Sequence, residues 1–465
     1  MTPVAQRVLF ASTMRIAICL ALVLGCGDGN NAQPDAEPPD ARPPDGPADP
    51  LTPAERAAIG QLSPLPAVPA DTTNRFADDA HAAALGQMLF FDKSYSGALA
   101  VGDDGTNGGL GMVGETGKVA CASCHAAGSG AMDDQRTKPN NVSLGTDYGT
   151  RNAIGVVDSA YDAWMNWGGR FDSQWSLPLA VAENGKIMKS TRLQIAHMLY
   201  AKYRTEYDAI FPVPLDPALD PTAADASRFP PAGKPKAQPT DPDGAWELMT
   251  QADRDIANAI FANYGKAQQA YLRTLVSGNA PFDQFVAGDA TAISASAIRG
   301  IKLFLAKGCV TCHAGPSFTD GSFHALAVPQ VGSHVPATDN GRFQDVPALR
   351  ASPFNVNGAY SDDTQTGRLA GLSQDASQTG QFRTKSLRNV AMAAPYMHGG
   401  QLATLADVVA FYDQGGGDPG TTGIVKDPRL APLGLSAQDR DDLVAFLETL
   451  TGEPLPAAVL VDTSK

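Results

Sequence analysis

Long apolar runs, surplus basic charge and spare cysteines are all missing from this 465-residue chain. Lys and Arg number 35 against 49 Asp and Glu, a net charge of −14. The clustered cations that meet phosphate are therefore absent, which argues against nucleic acid as a partner. The acidic surface serves solubility, or suits a basic protein partner. The apolar run Ile16 to Leu24 is too short to span a bilayer as a helix. Long alternating strand patterns are scarce, so a sandwich or barrel is disfavoured and a mainly α fold with long loops is expected. A hydrophobic share of 43% still allows real cores, and the length allows two or three domains.

The short apolar run has a use of its own. Arg15 precedes it, and Gly25 and Cys26 follow it. Charge, a short apolar stretch and then a small residue make an export signal. "LVLGC" also resembles a bacterial lipobox, which makes residues 1–26 a lipoprotein signal peptide with Cys26 acylated. Acyl chains would tether the protein to a bacterial membrane on its periplasmic side. Residues 27–53 are rich in Pro, Asp, Gly and Ala, lack the apolar content of a core, and read as a disordered tether.

There are six cysteines. Cys19 leaves with the signal and Cys26 is the lipid site. The other four are Cys121, Cys124, Cys309 and Cys312, and each pair opens a Cys-x-x-Cys-His unit: CASCH and CVTCH. That unit is the c-type haem attachment signature. Two thiols form thioethers with the porphyrin, and the adjacent histidine, His125 or His313, is an axial iron ligand. A redox dithiol or half a zinc site is the alternative for Cys-x-x-Cys alone. Neither needs histidine after both pairs. Two haem c groups are therefore expected.

Apolar residues at helical spacing precede both units, in 81–92 and 297–308, with Leu-Phe near the end of each. This weak repetition fits two cytochrome c-like haem domains in tandem, at 54–290 and 291–455. Segments 258–276 and 435–452 are also amphipathic, with Ser436 as a cap and Gly452 as a stop for the latter. Segment 213–245, rich in Pro and Asp, reads as a surface excursion.

Further blocks follow in order: "LGQMLFFD" (85–92), "GTRNAIG" (149–155), "WGGRFDSQW" (167–175), "FDQFVAGD" (282–289), "CVTCHAGPSFTD" (309–320) and "RTKSLRNVAMAAPYMHGG" (383–400). Together with CASCH they resemble the bacterial di-haem cytochrome c peroxidase family, which includes the MauG-type enzymes. The resemblance covers roughly residues 78–452. It implies an N-terminal haem that meets hydrogen peroxide and a C-terminal haem that collects electrons. The donor would be a small cytochrome c or cupredoxin, or a protein substrate would be oxidised instead. Family members are often homodimers.

The resemblance assigns roles residue by residue. Trp167 matches the tryptophan between the haems, where plain core packing is the bland reading. Asn152, with the carbonyls of Ala393 and Pro395, matches a Ca²⁺ site. The sixth ligand of the second haem falls fourteen residues beyond His398, at Tyr412, and Met397 competes with it. Peroxidases of the electron-accepting type carry Met there, and MauG-type enzymes carry Tyr. The distal Gln and Glu of the family fall on Leu177 and Ile187, which move no proton. Glu183 is the nearest carboxylate and the candidate acid. No histidine stands in "NNVSLGTDYGT" to block the first iron.

Overall fold

Capping residues fix where the helices begin. In the computed structural model, which describes residues 49–125, 141–420 and 422–465, Thr52, Asp79, Thr250, Ser294 and Ser436 each accept a backbone N–H from the first turn that follows. The helices are α1 (Pro53–Gly60), α2 (Ala80–Phe91), α3 (Ser176–Glu183), α4 (Arg192–Ile210), α5 (Gln251–Leu272), α6 (Pro281–Val286), α7 (Ala295–Ala306), α8 (Arg342–Ala351), α9 (Leu405–Asp413) and α10 (Ala437–Glu448). Apart from isolated single-residue bridges, strand pairing in the described residues is β1 (Phe323–His324) against β2 (Phe382–Arg383), antiparallel, with Phe323 opposite Arg383. The fold is mainly helical. The signal peptide, Cys26 and most of the expected tether lie outside the described residues.

Residues 50–465 form one body built on two helix crossings of the same design. In the first, α2 packs on α5; in the second, α7 packs on α10. Glycine makes both approaches possible. A Cβ on Gly86 would overlap the carbonyl oxygen of Ala267 and come 2.9 Å from Tyr271 Cβ. A Cβ on Gly300 would overlap the carbonyl oxygen of Asp442 and come 2.7 Å from Phe446 Cβ. Four residues after each glycine an aromatic ring meets the partner helix edge-on. Phe90 lies 5.2 Å from Tyr271 at 60°, and Phe304 lies 5.1 Å from Phe446 at 61°. The Leu-Phe similarity of 81–92 and 297–308 is the visible trace of this repeat.

Each crossing anchors a core. One gathers Leu85, Trp175, Ile195, Phe261 and, from beyond α8, Phe354. The other gathers Phe282, Phe304, Phe318 and Phe446, and also Leu51, Ile59 and Leu62. Leu51 is only 4% exposed, so the stretch expected to be tether up to residue 53 already packs by residue 51. Segment 213–245 is a surface excursion with most of its residues exposed, but Leu215, Leu219 and Phe229 anchor it in the first core. His197 fastens it, with its ring nitrogens 2.9 Å from Leu219 O and 3.1 Å from Phe229 O. Gly452 does not stop α10, which ends at Glu448. Its N–H donates instead to Asn389 Oδ1 (3.0 Å), and a side chain there would strike Ser277.

After α10 the chain returns to the first crossing. Leu455 is buried with Phe90, Phe91 and Tyr271. Gln87 Nε2 donates to the carbonyls of Ala458 and Val461 at 2.8 and 2.9 Å, and Tyr271 OH donates to Val459 O at 2.6 Å.

Candidate functional site

Both Cys-x-x-Cys-His units fold as a single tight turn, Cys121–Ser123 and Cys309–Thr311. His125 N donates to Cys121 O, and His313 N donates to Cys309 O, both at 3.0 Å. The turn therefore sets histidine beside its cysteines. The second unit follows α7 directly and opens onto a cavity of about 310 Å³. Cys309, Cys312, His313, Trp167, Met397 and Tyr412 all line it.

The chemistry of these groups does not suit a reactive dithiol, which needs depressed thiol pKa values. Here burial pushes the Cys121 thiol up to about 12 and the Cys309 thiol up to about 11. Burial pulls the His125 imidazole down to about 4, leaving it neutral and able to ligate. His313 is likewise lowered by burial. Its Nδ1 lies 3.0 Å from Phe318 O and so donates there, which leaves the Nε2 lone pair for a metal. The Nδ1 of His125 is buried and has no hydrogen-bond partner among the described residues. In the cavity wall, Arg383 is ion-paired to Asp162 at 2.7 Å, yet its buried Nε has no partner. That unused donor suits a carboxylate of a porphyrin seated in the cavity.

Tyr412 sits on α9, and its phenol makes no hydrogen bond among the described residues. Burial and the nearby Cys309 and Cys312 sulfurs push its phenol up. Met397 lies on the same cavity in the turn after Pro395, at φ 70°. A third cluster, Cys312, Asp320 and His324, brings ligand atoms within 4.8 Å of one another. It does not make a separate metal site: Cys312 belongs to the attachment pair, and His324 is held between Asp320 (2.9 Å) and Asp427 (2.8 Å).

Trp167 joins the two halves. Its Nε1 donates to Asn152 O at 2.7 Å, and its ring centre lies 6.5 Å from that of His398. The two residues after it must be glycine. Arg342 Nη1 donates to the carbonyls of Gly168 and Gly169 (3.1 and 2.7 Å), and a side chain on Gly169, at φ +66°, would strike the Phe323 ring. Arg151 locks the same junction from the other side through Asp339 and Asp345, each at 2.7 Å. Asn152 Nδ2 donates to Pro395 O at 2.6 Å, and its N–H donates to His398 O at 2.7 Å. Asn152, Ala393 and Pro395 all line the cavity. Sequence reasoning singled out neither His398 as a wall of this junction nor Arg383. His398 had been used only to count forward to Tyr412. Its ring lies flat against Phe382 at 3.8 Å, and burial lowers it to about 4.

Glu183 is corrected. Its Oε1 accepts from Arg192 N and Nε at 3.0 and 2.9 Å, and its Oε2 accepts from Arg192 Nη2 at 2.8 Å. A carboxylate held this way is a structural ion pair and not a free acid. Ile187 packs against Gly149, where a Cβ would stand 3.2 Å from its Cδ1. Leu177 is half-buried on α3.

Comparison with known proteins places this geometry. The profile described as "Di-haem cytochrome c peroxidase" matches residues 80–291. Cytochrome-c peroxidase IdrP1 of Denitromonas iodatirespirans is 33% identical over 86% of this chain and 89% of its own length. The methylamine utilization protein MauG of Methylorubrum extorquens is 38% identical over a shorter stretch, 40% of this chain and 44% of its own. Among solved structures, a MauG-like protein associated with microbial copper homeostasis shares the fold at a TM-score of 0.57 and 22% identity, covering 87% of this chain and 97% of its own. The diheme peroxidase BthA of Burkholderia thailandensis does so at 0.54 and 21%, covering 85% and 98%.

Proposed function

Because this chain belongs to the di-haem cytochrome c peroxidase family, we propose that it is an exported di-haem oxidoreductase that reacts with hydrogen peroxide. The observation that carries the reading is the repeated crossing, each copy bearing one Cys-x-x-Cys-His unit. It supports two tandem cytochrome c-like domains, the second drawing α1 and α6 into its core. Cys26 would hold the protein by lipid at the periplasmic side of a bacterial membrane.

Bound haem would supply a redox-active iron to each half. The chain would do the rest. His125 and His313 would ligate, Cys121, Cys124, Cys309 and Cys312 would fix the porphyrins, and Arg383 would meet a propionate. Tyr412, which lines the same cavity as His313, would be a further ligand to the second haem. A phenolate is a harder donor than the Met397 thioether and favours higher oxidation states. Trp167, oriented by Asn152, would pass electrons between the halves. Asn152, with its amide turned so that Oδ1 in place of Nδ2 faces Pro395 O, would take Ca²⁺ together with the Ala393 and Pro395 carbonyls. The electrons would come from a small cytochrome c or cupredoxin.

A second reading rests on Tyr412 together with Leu177 and Ile187: oxidation of a partner protein through Trp167, in the MauG manner, without ordinary peroxidase turnover. Peroxide consumption by the holoprotein with reduced cytochrome tests the choice. Turnover supports the first reading. No turnover, with a peroxide-induced spectral change, supports the second. No turnover and no spectral change leave a di-haem electron carrier. Replacing Tyr412 by Phe should alter the axial signature of one haem in optical and EPR spectra and leave the other unchanged. An unaltered spectrum removes Tyr412 as a ligand.

A further inference from the structure

The two crossings repeat one geometry with different side-chain chemistry. The ring that meets Phe304 is Phe446, while the ring that meets Phe90 is Tyr271. The contrast runs through the cores. Around the second unit the buried rings are phenylalanines apart from Tyr396. Around the first, Tyr95, Tyr203, Tyr207, Tyr264, Trp175 and Trp246 are buried as well as phenylalanines. A buried phenol demands a hydrogen-bond partner that phenylalanine does not, so each of these hydroxyls is set against a polar group.

Their placement is directional. Tyr95 OH and Tyr264 OH are 2.8 Å apart, with ring centres at 5.8 Å. Gln268, one turn along α5 from Tyr264, has its Oε1 3.5 Å from Cys121 Sγ. Three residues before Tyr95 stands Asp92. It accepts from Tyr203 OH and from Lys202 Nζ, each at 2.8 Å. A phenol yields an electron readily only where its proton has a base to go to. The Leu89 carbonyl beside Tyr95 OH (3.2 Å) is not one; the Asp92 carboxylate beside fully buried Tyr203 is.

We propose that the Tyr95–Tyr264 pair and the Tyr203–Asp92 couple form an outlet for oxidising equivalents from the Cys121/His125 site, used when peroxide arrives without a donor. The inference rests on the peroxide reading above. Hydrogen peroxide takes two electrons, and two protons from solvent water, to give two waters. Tyr203 supplies one electron, passed through Tyr95 and Tyr264 toward Cys121, and the other comes from the haem groups. The Tyr203 O–H bond breaks, its proton goes to Asp92, and a neutral tyrosyl radical remains, away from the porphyrin.

The test uses holoprotein with both haems, hydrogen peroxide and no donor, frozen for EPR and followed optically for bleaching. Wild type should show a tyrosyl signal. Tyr203→Phe and Tyr264→Phe should each reduce it and speed bleaching, by roughly an order of magnitude. Asp92→Asn should suppress the signal with Tyr203 still in place. Tyr207→Phe, a buried phenol outside the route bonded to Asn263, should behave as wild type. Unchanged haem absorption before peroxide certifies each variant as folded. Bleaching and radical yield equal to wild type in Tyr203→Phe and Tyr264→Phe overturn the outlet alone. A wild-type spectrum indifferent to peroxide overturns the functional reading and the outlet with it.

Discussion

Replacing Glu183 by glutamine separates a structural carboxylate from a catalytic one. Glutamine keeps one oxygen for Arg192 N and Nε but turns an NH₂ toward Nη2, so donor faces donor. Arg192 cannot escape to water. It is held by Asn258 at 2.5 Å and by the rings of Trp246, Phe261 and Phe354 at 4.9, 5.2 and 5.5 Å. Removing one partner of a buried pair costs about 3–5 kcal/mol. The bonds that survive and the 16% exposure of the Glu183 side chain put this case at the lower end, about 3 kcal/mol. At roughly 2 °C per kcal/mol for a large unit, Tm should fall by about 6 °C. Thermal unfolding followed by circular dichroism reads that loss. Stopped-flow absorption on mixing with peroxide should show a rate within about twofold of wild type, since no proton-transfer step was removed. The reasoning fails if Tm stays put while the rate drops by the ~10²–10⁴ expected for a lost acid.

The complementary change, Ile187→Glu, should raise the rate of the peroxide reaction in the same assay, because it places a proton donor where none stands; an unchanged rate removes that position from the peroxide side. Gly86→Ala and Gly300→Ala should each destabilise the protein by ~3 kcal/mol or more, since the added methyl meets a helix carbonyl with no room to shift; denaturant unfolding checks both, and a loss below about 1 kcal/mol would disprove the crossing geometry. Asp158 is buried, and burial lifts its carboxyl to about 6. Its folded pKa thus exceeds the unfolded value of ~3.9, so stability is full below that value and is lost as pH rises through 6, by about 3 kcal/mol in total. Unfolding of wild type minus Asp158→Asn should fall over that window, and a flat difference contradicts the assignment.

Much of this was legible in the residues. The two Cys-x-x-Cys-His units, the apolar spacing of α2 and α7 and the Ser436 cap are local patterns, and local patterns survive in sequence. Glu183 was misjudged because its partner Arg192 lies past a turn that sequence spacing does not disclose. Arg383 escaped notice because it reaches the cavity only through β1 and β2, two residues each, too short to show a period. The Pro- and Asp-rich segment 213–245 lies mostly exposed, as its composition implies; composition records its turns and not its anchors Leu215, Leu219 and Phe229.

The return of residues 455–461 to Phe90, Phe91 and Tyr271 has a consequence for biogenesis. On the export proposed above, a polypeptide entering from its N-terminal side completes its earlier crossing last, because the clasp on that crossing is made from sequence beyond α10. Attachment enzymes would therefore meet CASCH in an unclosed half and CVTCH only shortly before closure. A protease cut after Glu453 would loosen the half that lies farther away along the chain, and leave Leu450 seated in the nearer core.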